Sequence, residues 1–264
     1  MKKTFLLIHK WLGIVFGVFI CIACFTGAIL VFRSELCQLF GVEMRDAEFF
    51  RWVMRLHRWL LDAPSNPHGG LSVGRVIMGI SAIACTLILI TGVVVWWPKN
   101  LKMLRARLSV KVHSGWMRFV HDTHVSLGIY AVIFLLLMSL TGPVWSFQWY
   151  RSGATAVICA EQPSGEVKPD DREQSGGARH ESKGNQAVKP EAGHGHGHSQ
   201  QVSGGKNSAQ KTFLSLHMGT WGGTVARIIY LLAALIGGFL PISGYYIWLK
   251  KRALKRSGKM PPHH

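Results

Sequence analysis

Histidines stand at the borders of the apolar stretches of this chain. His9 opens the first stretch in His9-Lys-Trp-Leu-Gly13, and His124 opens the third in His124-Val-Ser-Leu-Gly128. His57 precedes the second in Leu56-His57-Arg58-Trp59, and His217 precedes the fourth in Leu216-His217-Met218. A neutral imidazole is a good ligand for transition metals, and two imidazoles facing each other across a porphyrin form the axial set of a b-type haem between helices. His9 with His124, and His57 with His217, are therefore candidate axial pairs for two bis-histidine b haems. His121, one helical turn before His124, is a candidate substitute ligand. The chain has no Cys-x-x-Cys-His, so such a group would be held without a covalent link.

Each apolar stretch also carries a hydroxyl-glycine step: Thr26-Gly27, Thr91-Gly92, Thr141-Gly142 and Ser243-Gly244. Small residues let membrane helices approach closely, so these steps read first as packing contacts, and the stripe His9, Gly13, Gly17, Cys24, Gly27 would let a flat macrocycle or another backbone approach closely. A second group of histidines, His194, His196 and His198 in a Gly-His repeat with His180 nearby, is a weak candidate site for zinc, nickel or copper. His113 reads as a solvated loop residue.

The elements that must position these residues follow from hydropathy and charge. Nearly half of the 264 residues are hydrophobic, yet the formal net charge is +17. Spanning helices joined by basic loops produce that combination. Four stretches free of Asp, Glu, Lys and Arg mark the spans, at about 11–32, 76–97, 125–150 and 228–249. Lipid offers no partner to backbone polar groups, and the alternation of a barrel strand is missing, so the spans are helices. The expected fold is an all-α integral membrane bundle of four transmembrane helices.

Basic residues collect at one side: Lys2, Lys3 and Lys10; Lys99, Lys102, Arg105, Arg107, Lys111 and Arg118; and the tail from Lys250 to Lys259. By the positive-inside rule both termini and the middle connection face the cytoplasm. Topology and anionic lipid account for the excess charge, and no nucleic-acid partner is needed. The first apolar run is longer than a signal-peptide core and lacks a clear cleavage site, so it is expected to be retained.

The sequence repeats. His9 and Thr26 match His124 and Thr141 at an offset of 115, and Gly70, Arg75, Gly92 and Trp96 match Gly222, Arg227, Gly244 and Trp248 at an offset of 152. The chain thus reads as two repeated helical hairpins, 1–105 and 106–252, followed by a basic tail, 253–264. Residues 151–211 are rich in Gly, Ser, Lys, Glu and Gln, a composition that buries too little surface to order itself, and are expected to form a disordered outer loop. The region from Phe49 to Leu61 has the pattern of an interfacial amphipathic helix. Cys21, Cys24 and Cys85 read as small apolar fillers, while Cys37 and Cys159 follow outward-going helices and could pair as a disulfide.

The His-x-Trp-Leu-Gly entry into a helix ending in Thr-Gly, the Thr-Gly-x5-Pro exit from Thr91 to Pro98, and His121-x-x-His124-x-x-x-Gly128 together resemble the PepSY-associated transmembrane family. The resemblance covers roughly 1–150 and 212–252. It implies a protein of the bacterial inner membrane related to iron-uptake and ferric-siderophore reductases, with two b haems passing electrons outward to ferric iron or a ferric siderophore. Larger relatives carry folded domains outside the membrane, and this chain departs from them there. No nucleotide-binding glycine pattern or flavin fingerprint is present, so the donor would be a quinol or a cytoplasmic reductase. The alternative is a non-enzymatic metal-binding accessory or transport subunit.

Overall fold

In the computed structural model, residues 2–43, 46–63, 70–112, 115–160 and 199–257 are described. Among them every regular element is a helix. Four segments are long and apolar enough to cross a bilayer: Lys2–Val31, Val73–Trp96, Trp116–Ser146 and Thr220–Arg256. Only 33% of the most apolar window of each is buried within the protein, and Val15, Val18, Leu87, Ile133, Leu232 and Ile242 lie exposed along them. Side chains of that type belong in lipid. The chain is a multi-pass membrane protein.

The first span is α1 (Lys2–Val31), which continues after a turn into the short α2 (Arg33–Leu39). Helix α3 (Glu48–Trp59) follows and packs against α1 and against α4 (Val73–Trp96), the second span. After α5 (Leu101–Leu108) comes α6 (Trp116–Thr141), which breaks at Gly142-Pro143 into α7 (Pro143–Ser146) and α8 (Gln148–Ala160). Then α9 (Ser199–Met218) leads through a short turn of 3-10 helix to α10 (Gly223–Arg256), the last span. Helices α1 and α6 each pack on both α4 and α10, which makes a closed ring of four. Leu89, Ala131, Leu135 and Ala233 are buried at its centre, with Cys24, Cys85, Phe134 and Leu240 around them.

Close approach between α1 and α10 depends on Gly17. A Cβ there would stand 3.0 Å from the Tyr245 hydroxyl and 3.2 Å from Pro241 Cβ, and that hydroxyl donates to the Ile14 carbonyl at 2.6 Å. Arginines hold the helix ends. Arg75 donates through Nε to the Trp145 carbonyl at 3.1 Å, Arg227 donates to the Val31 carbonyl and pairs with Glu35, and Arg107 donates to the Val95 carbonyl at 3.2 Å. Each satisfies an acceptor near the C-terminal end of a helical segment, where in-helix partners run out.

The described ends of the segment 151–211 differ from the disordered loop expected there. Both are helical, in α8 to Ala160 and in α9 from Ser199. Ala209 and Phe213 of α9 are buried against Val144 of α7, with Ala154 and Ile158 of α8 packed beside them. These apolar residues recur at i, i+4, and the average composition of the segment hides them. Residues 161–198, with His180, His194, His196 and His198, lie outside the described residues, as does His113.

Helix α3 ends where Leu60 and Leu61 adopt left-handed backbone, with φ of 50° and 70°. The turn brings the chain back so that Gly74 N donates to the Asp62 carboxylate at 3.0 Å and α4 begins against the end of α3. A Cβ on Gly74 would stand 1.8 Å from the Trp59 carbonyl oxygen, whereas one on Gly70 would meet nothing within 4 Å. Gly74→Ala should therefore force α3 and α4 apart and cost about 1–3 kcal/mol, seen as a lower melting temperature in detergent, while Gly70→Ala leaves it unchanged.

Candidate functional site

Both ends of the bundle hold a pair of histidines. At the end that carries the start of α1 and the close of α10, the rings of His9 and His124 have centroids 6.3 Å apart and planes at 90°. At the opposite end the rings of His57 and His217 are 6.2 Å apart with planes at 61°. The first pair sits on spanning helices, α1 and α6. The second sits on α3 and α9, helices outside the spans that lean over the bundle end. Val53, 1% exposed, anchors α3, and Ala209 and Phe213 anchor α9.

Each imidazole is held through Nδ1 by a hydroxyl-glycine step. Nδ1 of His57 lies 2.9 Å from Thr26 Oγ1, that of His217 2.9 Å from Thr141 Oγ1, that of His124 2.8 Å from Ser243 Oγ, and that of His9 3.4 Å from Thr91 Oγ1 and 2.9 Å from the Ile88 carbonyl. The hydroxyls already donate within their own helices: Thr26 to Ile22 O at 2.6 Å, Thr141 to Leu137 O at 2.6 Å, Ser243 to Leu240 O at 2.9 Å and Thr91 to Leu87 O at 2.8 Å. A hydroxyl has one hydrogen, so towards the ring it can only accept. The hydrogen-bond network thus assigns all four imidazoles the Nδ1–H tautomer and leaves Nε2 as the basic nitrogen.

The glycines give these rings room. A Cβ on Gly27 would stand 3.3 Å from His57 Cε1, one on Gly92 3.2 Å from His9 Cε1, and one on Gly244 3.7 Å from His124 Cε1. Gly142 departs from the pattern, since its nearest neighbour is Ala82 at 3.3 Å. Trp145 closes the far side of His217, its ring 5.3 Å away at 63°. Gly13 lies one turn beyond His9 on the same face of α1, and no described atom comes within 4 Å of where its Cβ would be.

Burial pushes His57 and His217 down to about 4, because an imidazolium there would lose its hydration. Both rings are neutral at physiological pH, the form that binds a metal. Two neutral rings at such spacing, each with Nδ1 taken up by an acceptor, keep Nε2 as the nitrogen with metal-ligand chemistry.

The structure thus brings together His9 with His124 and His57 with His217. It keeps His121 apart from them: that ring is 48% exposed and lies 3.5 Å from Asp122 Oδ1. Three residues turn a helix by about 300°, which leaves His121 some 60° off the face of His124 and outside the bundle. Among the described residues Cys37 is buried and has no disulfide partner, and the side chain of Cys159 is outside that set. The hydroxyls of Thr26, Thr91, Thr141 and Ser243 do more than the packing expected of them: each faces the Nδ1 of one imidazole. A signal for this was present: a hydroxyl-glycine step recurs in every span, as often as the four histidines at the span borders.

No curated protein and no solved structure matches the chain. A family model described as the PepSY-associated TM region matches residues 6–48 and 39–251. With that match covering nearly its whole length, the chain belongs to the PepSY-associated transmembrane family.

Proposed function

We propose that this protein is a di-haem b electron carrier of the bacterial inner membrane that reduces ferric iron, held in a siderophore, on the periplasmic side. The observation that carries the reading is the pair spacing. A metal–imidazole bond is about 2.0 Å, and the ring centre lies about 1.1 Å behind the bonding nitrogen, so trans imidazoles on one ion have centroids about 6.2 Å apart. The two pairs stand at 6.3 and 6.2 Å. Gly13, one turn beyond His9, has no described atom within 4 Å of where its Cβ would be, and Gly27, Gly92 and Gly244 let their helices lie against three of the rings that would hold a haem.

A b haem, when bound, supplies a one-electron ferric–ferrous change. The rest is the work of the chain. His9 and His124 would hold the inner group and His57 and His217 the outer one. Nδ1–H donation to Ser243, Thr26, Thr141 and the Ile88 carbonyl makes each Nε2 a stronger donor and fixes the plane of its ring. The apolar centre around Leu89, Ala131, Leu135 and Ala233 keeps water out between the sites. Along α1 the sites are separated by the 17 residues from His9 to Thr26, or about 26 Å. An electron moving between them would cross most of the bilayer.

The matching offsets, and the like treatment of His9 and His124 by hydroxyl-glycine steps, support a bundle of two copies of one hairpin, each giving one ligand to each site. The charge of the connections supports cytoplasmic termini, which would put His9 and His124 inside and His57 and His217 outside. Outward flow to ferric iron rests on that orientation and on the family's kinship with iron-uptake reductases.

Purified protein should be red, with a Soret band that shifts on dithionite reduction and a pyridine haemochrome giving two b haems per chain. His124→Ala and His217→Ala should each lose about half of the haem, and His121→Ala none. A colourless preparation from haem-replete cells, or haem content unchanged in both pair variants, overturns the reading. Ser243→Ala should weaken haem binding by about tenfold and raise the potential of one haem only, because a ring that donates less through Nδ1 stabilises ferric iron less. Potentiometric titration of the visible bands measures both effects.

A further inference from the structure

We propose that the groove at the N-terminal end of α6 binds the ring of a membrane-soluble hydroquinone, and that His121 accepts its hydroxyl proton as electrons pass to the neighbouring His9/His124 site. The proposal rests on the reading of that pair as a haem site and names its electron donor.

The groove has a volume of about 450 Å³ and is lined by Gly115, Trp116, Met117, Arg118, His121 and Lys251. That volume is within the range of small-molecule sites. Its floor suits an aromatic ring. Trp116 is 66% exposed and stacks on Phe119, with centroids 5.4 Å apart and planes at 30°. An exposed indole at the end of a spanning helix marks the border of the hydrocarbon layer, where the head of a lipid-soluble quinone resides.

His121 gives the groove its chemistry. Its Nδ1 faces Asp122 Oδ1 at 3.5 Å, and Arg118 Nε holds both oxygens of that carboxylate at 3.0 and 3.1 Å. The carboxylate favours Nδ1–H on His121 and so leaves Nε2 as the nitrogen that can accept a hydroxyl hydrogen. The groove is shallow and open, and Lys251, from the end of α10, lines it with a cation that favours oxygen atoms on the ring. His121 and His124 are three residues apart on α6, a rise of about 4.5 Å, so the groove lies on the outer rim of the same bundle end that holds the inner pair.

The step balances. A hydroquinone gives up two electrons and two protons and leaves as the quinone. With ferric haem at the inner site as the one-electron oxidant, the two electrons would leave one at a time, and each proton would pass through His121 to the exposed side of the groove. Both O–H bonds break and both ring C–O bonds become C=O.

The test uses the full-length protein with its haem, in nanodiscs of phosphatidylcholine. Decylubiquinol or menadiol should reduce the haem of the parent protein in stopped flow. His121→Gln should slow this by about a hundredfold, as expected when a proton acceptor is removed, and Trp116→Ala should raise the hydroquinone concentration needed for half-maximal rate. Dithionite should still reduce all the haem in both variants, which separates loss of the donor site from loss of haem. A photoactivatable azidoquinone should label the peptide 115–121 in the parent protein and not in Trp116→Ala, a readout that needs no haem. Equal hydroquinone rates in parent and His121→Gln overturn the proposal. So does a dithionite-reducible parent that neither hydroquinone reduces, or labelling at another site. Labelling abolished by phosphatidylglycerol, with no hydroquinone-driven reduction, would assign the groove to anionic lipid instead.

Discussion

Inside an apolar bundle an imidazole N–H needs an acceptor, and an exposed backbone carbonyl is scarce because the helix has used nearly all of them. A serine or threonine that returns its own hydrogen to the carbonyl three or four residues back offers such an acceptor on the surface of the helix. Thr26, Thr91, Thr141 and Ser243 do this, and each faces the Nδ1 of one histidine. The arrangement fixes more than four hydrogen bonds. It decides which nitrogen of each ring is basic, and it ties the register of each spanning helix to that of the helix or cap that carries its histidine. The glycine after each hydroxyl then keeps the helix wall low where a ring must lie against it, with Gly142 the departure.

The two ends reach similar pair geometry by different means. His9 and His124 stand on long helices whose positions are set by packing along the whole bundle, including the contact of Tyr245 and Pro241 over Gly17. His57 and His217 depend on short outer helices, which need their own anchors. Val53 and the Leu60–Asp62 turn hold α3 against Gly74, and Ala209 with Phe213 holds α9 on α7. Arg75 and Arg227 clasp the Trp145 and Val31 carbonyls at that same end. Trp145 then bears directly on the His217 ring, so the end of the third span and the outer pair are one packing unit.

Much of this was legible in the amino-acid order. Charge-free stretches of membrane length have one stable form in lipid, so the spanning helices followed from composition. The histidines of each pair stood out because a polar residue recurs at the same place in matching motifs. The role of the hydroxyls did not stand out, since Thr-Gly in an apolar helix serves packing equally well and only coordinates show where Oγ points. Helices α8 and α9 were lost in the average composition of their segment, although Ala154, Ile158, Ala209 and Phe213 carry enough apolar surface to pair them. His121 illustrates the limit of helical-face arguments: residues three apart are near neighbours but not superimposed, and 60° suffices to move a ring from the bundle interior to its rim.

The most direct measurement is electron paramagnetic resonance of the oxidised protein at low temperature, because it reads the axial ligands and the angle between their planes together. Rings at 90° and 61° on two iron centres predict low-spin ferric signals, both of the strongly anisotropic kind given by imidazoles that are far from parallel. High-spin iron at either site would contradict the account by showing an axial position without its histidine, and the absence of any iron–porphyrin signal would contradict it altogether.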